Sequence, residues 1–153
     1  MTLSNTSGDG LGVRVSKPAA DLFDGTTTNI FTVSGDVWIT GLSIKVEDAA
    51  LDATANAVKW TANPTTGSSV DLCATLDVAS DEQGTIYSIT GILTDAMVGT
   101  TAGAVAGMAQ IVRVSAGSID LVSAGDSNDS NTALQTVDLW YLPIDDGATI
   151  VQT

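Results

Sequence analysis

Apolar and polar residues alternate in short runs along most of the chain, the period expected of half-buried β-strands. Val13 and Val15 open a first run, Ile30, Phe31 and Val33 form a second, and Ser34-Gly35-Asp36 supplies a turn behind it. Val37, Ile39, Leu42, Ile44 and Val46 make a long strand whose parity slips near Gly41, the mark of a β-bulge or bend. Ala57 to Trp60 continues the pattern until Asn63-Pro64-Thr65-Thr66-Gly67 ends it. Further strands are expected over Val70 to Leu76, Thr85 to Leu93, Gln110 to Val114, Ser118 to Val122 and Gln135 to Leu142, with Ser115-Ala116-Gly117 as a tight hairpin connection.

Helical signals are poor. Asp95 to Met108 carries Gly99, Gly103 and Gly107, and interior glycines cost a helix about 1 kcal/mol each, so a small-residue loop is expected there. Eight or nine short strands without an internal repeat point to an all-β protein, an antiparallel β-sandwich with jelly-roll-like wiring. The sandwich is expected over residues 13–144. Residues 1–12 are polar and Gly-rich and read as an N-terminal arm, and residues 145–153, behind Pro143, read as a C-terminal arm.

Charge narrows the range of partners. Eighteen acidic and 5 basic residues leave a formal net charge of -13 in 153 residues. Nucleic-acid binding relies on Lys and Arg displacing counterions, so neither nucleic acid nor an anionic membrane is an expected partner. The first ten residues lack the basic start and apolar core of a signal peptide, and no stretch is long and apolar enough to span a bilayer. Synthesis in a host cytoplasm is the expectation.

Little in the sequence suggests catalysis. Histidine is absent, which removes the commonest general base and metal ligand, and no phosphate-binding or zinc motif occurs. No enzymatic activity and no cofactor are expected. Cys73, the single cysteine, alternates with apolar neighbours and reads as a buried packing residue. Asp126, Asn128 and Asp129 place oxygen ligands at calcium-like spacings, but the Gly and Glu of an EF-hand loop are missing, and a plain turn is favoured over a metal site. Trp38 and Trp60 fall in strand patterns and are expected in the core. Trp140 and Tyr141 are adjacent, so a strand points them to opposite faces; one should be buried and the other is a candidate interface contact.

Four stretches carry a resemblance: Ile30 to Gly41, Ala62 to Ala74, Gly84 to Gly91, and the ending Trp140 to Ala148. Together they resemble a family of small proteins encoded beside the capsid genes of tailed phages. The likeness spans roughly residues 13–150 and lies in texture and motif order, so it transfers no site residue. It implies a virion structural protein, and specifically a capsid decoration (cement) protein on the outer capsid surface. Such a protein binds the assembled shell, bridges subunits of the major capsid protein, and associates with itself, a homotrimer being the symmetry that suits an icosahedral shell. A neck, tail or fibre-base component, or a glycan-binding surface module, is the alternative.

Overall fold

The computed structural model describes residues 11–128 and 132–153, which form twelve strands in two antiparallel sheets and no helix. One sheet runs β1 (Val13–Ala20), β11 (Leu134–Pro143), β3 (Val37–Glu47), β7 (Ile86–Ser88) and β8 (Val98–Thr100); β9 (Val112–Val114) shares the edge of β3 with β7. The other runs β12 (Thr149–Gln152), β2 (Thr27–Ser34), β10 (Gly117–Ser123), β4 (Ala57–Pro64) and β5 (Val70–Asp71), with β6 (Leu76–Asp77) also on β4. The late strands insert among the early ones: β11 lies between β1 and β3, and β10 between β2 and β4. The chain alternates between the sheets over β1 to β4 and again over β9 to β12, staying within one sheet over β4 to β6 and β7 to β9, an order consistent with jelly-roll-like wiring of a β-sandwich.

Alternation builds the core. Val37, Ile39, Leu42, Ile44 and Val46 of β3 face Val58 and Trp60 of β4 and Ile119 and Leu121 of β10, and all are buried. The parity slip near Gly41 is a β-bulge: Trp140 pairs with Gly41 and Tyr141 with Ile39, leaving Thr40 as the extra residue. A second bulge at Ile30, between the pairs Ile119–Phe31 and Asp120–Asn29, lets Ile30 and Phe31 both be buried.

Several expectations need correction. The expected C-terminal arm is part of the domain: Thr149 to Gln152 pair antiparallel with Ser34 to Phe31, and Ile150 is buried. The positive φ of Gly147 turns the chain back beside β2, where the apolar Ile150 can reach the core. Residues 1–10 of the expected N-terminal arm lie outside the described residues, while the carbonyl of Leu11 accepts a bond from the Thr40 hydroxyl. Ser115 to Gly117 is no hairpin, because β9 and β10 belong to different sheets. The single strand expected over residues 70–76 is split into β5 and β6, and that over 85–93 shortens to β7. The loop expected over residues 95–108 contains β8. Trp38 is not a core residue: it stands between the inward-facing Val37 and Ile39 and so lies partly exposed on the outer face.

Candidate interaction surface

Trp140 and Tyr141 divide as strand alternation requires. Tyr141 is buried, whereas Trp140 lies on the outer face of its sheet, its six-membered ring over Gly41. A Cβ at position 41 would stand 3.0 Å from that ring, so glycine lets the indole lie flat on the strand. Leu11, Val105, Ala106 and Gly107 complete a groove of about 240 Å³ around Trp140, so a segment of the chain itself partly covers this candidate contact.

Asp126 and Asn128 serve as turn residues. Asp126 Oδ1 accepts the Asn128 amide at 2.9 Å, and Asn128 Oδ1 accepts the amides of Thr132 and Ala133. These oxygens close the loop on its own backbone, and Asp129 lies outside the described residues. Among the described residues no group of three or more His, Cys, Asp or Glu could hold a metal ion. Cys73 is buried; its sulfur accepts the Trp60 amide, and burial pushes its thiol pKa up.

The wiring gathers nine of the eighteen acidic residues at one end of the sandwich. The loops β1–β2, β3–β4, β6–β7 and β10–β11 meet there, bringing Asp21, Asp24, Asp48, Asp52, Asp81, Glu82 and Asp126. Glu47 and Asp77 stand at the adjoining strand ends, and no Lys or Arg occurs in residues 20–27, 47–57, 76–86 or 123–134.

Asn56, fully buried, ties this end together. Its Nδ2 donates to the Phe23 carbonyl and to Ser127 Oγ, its Oδ1 accepts from Ser123 Oγ and the Gly125 amide, and its own amide donates to Asp77 Oδ1. The amides of Asn56 and Ala79 hold the Asp77 carboxyl below its ordinary pKa. Burial, followed by the neighbouring charges of Asp24 and Asp126, raises that of Asp21, against the opposing bond from Asn128. Four of the basic side chains are engaged elsewhere, Arg14 with Asp138, Lys59 with Asp71, Arg113 with Asp36 and Lys17 with the Thr153 carbonyl, while Lys45 reaches Glu47 at the rim of this end.

Elsewhere, a long segment between Asp95 and Arg113 is free of charge. Residues 96–112 contain no Asp, Glu, Lys or Arg, and within or beside them Ile92, Leu93, Val98 and Ile111 are 39–52% exposed. This segment forms the flank at the β8 side of the sandwich. It was legible in the sequence only as a run of small uncharged residues; that it is exposed needed the fold. The acidic end was less legible still, because its loops are scattered over about a hundred residues and only strand order unites them.

No family model, curated protein or solved structure matches the chain.

Proposed function

We propose that this chain is a capsid decoration protein of a tailed-phage virion, a non-enzymatic subunit that binds the outer surface of the assembled head and bridges major capsid protein subunits. One observation carries the reading: the surface is segregated into an acidic end whose loops contain no Lys or Arg and a flank where exposed aliphatic side chains surround the uncharged residues 96–112. Exposed apolar patches on a soluble domain mark places where other proteins sit. A strongly acidic pole directed away from the shell would keep crowded particles apart. The jelly-roll sandwich agrees with this role, although the same fold also serves lectins, so the fold alone decides nothing.

Binding to the assembled shell and not to loose subunits would stabilise the shell by mass action. Co-sedimentation with purified heads that lack the protein tests the reading. Saturation at a fixed copy number per head, with heads that then resist heat better, is expected; protein left wholly in the supernatant overturns it.

A glycan-binding module is the second reading. It is favoured by an open polar cavity of about 410 Å³ lined by Asp77, Asp81, Thr85, Tyr87, Thr100 and Thr101, whose carboxylates and hydroxyls could bond sugar hydroxyls. Ligand-dependent stabilisation on a panel of sugars would support it.

A further inference from the structure

Strand alternation gathers two of the chain's three tryptophans on one solvent-facing surface. Trp38 on β3 and Trp140 on β11 both point outward from the same sheet, and each is partly exposed. Leu142, two positions beyond Trp140, is the residue paired with Trp38. The tryptophans are therefore diagonal neighbours, with Cα atoms about 7–8 Å apart.

Each indole stands in the same setting. An aspartate precedes it by two residues, in Asp36-Val37-Trp38 and in Asp138-Leu139-Trp140. An arginine is paired directly across from it, Arg113 with Trp38 and Arg14 with Trp140, and the chain has no other arginine. In both cases Nε and Nη2 of the arginine donate to a single oxygen of that aspartate, with Nε at 3.0 Å. Cross-strand ion pairing accounts for the arginines and aspartates, but it gives no reason for an indole beside each pair. A large aromatic side chain left facing solvent is a contact surface. The side chains of Arg14 and Arg113 are 49% and 55% exposed, and each fork keeps donors beyond the two that aspartate takes.

That combination points to the ligand. A saccharide ring has an apolar face of C–H bonds, which can lie on an indole, and a rim of hydroxyls that both donate and accept. Such hydroxyls can bond the outward guanidinium edge and the carboxylate together. Two equal settings side by side suit a ligand of repeating units, as a saccharide chain is and a folded protein surface is not. Both arginines are already ion-paired, so the ligand need carry no charge, and a net charge of -13 would repel an anionic one. Ser43 and Ser88 add hydroxyl-bearing side chains to the groove beside Trp140. We infer that this face binds a neutral saccharide chain, with one sugar residue stacked on each of Trp38 and Trp140. The inference goes beyond the decoration role, and its site shares no residue with the cavity at Asp77 and Asp81.

The test is a calorimetric titration of the purified full-length chain with hexasaccharides of glucose, mannose, galactose and N-acetylglucosamine, up to about 1 mM. At least one should bind, and the matching monosaccharide should bind at least about tenfold more weakly, since only the longer ligand reaches both indoles. Trp38→Ala and Trp140→Ala should each weaken binding at least about tenfold. The double variant Arg14→Gln/Arg113→Gln, which alters only half-exposed side chains and leaves both indoles, should act in the same direction with unchanged circular dichroism. Failure of every hexasaccharide to bind overturns the inference, as does binding that all three variants retain. If no saccharide binds and the alanine variants lose capsid heads instead, the face belongs to the shell, and the saccharide inference falls while the decoration reading stands. Saccharide binding by a chain that ignores heads would sink the decoration reading alone.

Discussion

Asn56 shows how much one buried amide can organise. It joins the β3–β4 loop to the β1–β2 and β10–β11 loops and to Asp77, with both side-chain atoms satisfied. Asn56→Ala would strand several buried polar groups at about 1–3 kcal/mol each, so a loss of about 3 kcal/mol is expected, read as a Tm lower by about 6–12 °C. Asp21 should behave in the opposite way. Its folded pKa is raised, so its contribution favours the fold below about pH 4 and is lost as pH rises through the folded value. Asp21→Asn is therefore expected to raise Tm at pH 7, and the gain should vanish in melts near pH 4. A gain that persists at low pH would contradict this account. At this scale the sequence was informative where alternation applied: it separated Trp140 from Tyr141 and buried Cys73. It misplaced Trp38 because an aromatic residue in a strand pattern was assigned to the core without counting its parity against Val37 and Ile39.

Long strands were legible as elements, since β3 and β11 bury five and four side chains on one face and announce themselves by period. Short ones were not. Strands β5, β6 and β8 have two or three residues and are set by neighbours across the sheet, not by a pattern of their own. Strand β12 escaped because a terminal segment behind Pro143 and an Asp-Asp-Gly turn looks like a tail, and only the edge of β2 reveals Ile150 as a core residue. Removing residues 149–153 tests this placement. Loss of buried Ile150 and of one edge strand should cost about 3 kcal/mol and lower Tm by about 6–12 °C, whereas removal of a mere arm would leave the melt unchanged.

For the whole molecule, the governing feature is that the strand order collects dispersed acidic loops at one pole and sets the uncharged residues 96–112 on one flank. The sequence disclosed the charge total but not its distribution, which depends on strand order. Repulsion among nine carboxylates, of which only Glu47 has a basic side chain beside it, should be partly screened by salt. Raising NaCl from about 10 mM to about 0.5 M is expected to stabilise the fold by about 1 kcal/mol, or about 2–4 °C in Tm. A Tm that is flat or falls with salt would show that the acidic pole carries no net strain.

The most direct test of the decoration role is cryo-electron microscopy of heads lacking this protein after mixing with the purified chain. The account predicts regular added density on the outer capsid surface, with the acidic pole facing solvent and the flank of exposed aliphatic side chains in protein contact. Bare shells, or density confined to the portal vertex or tail, would contradict it.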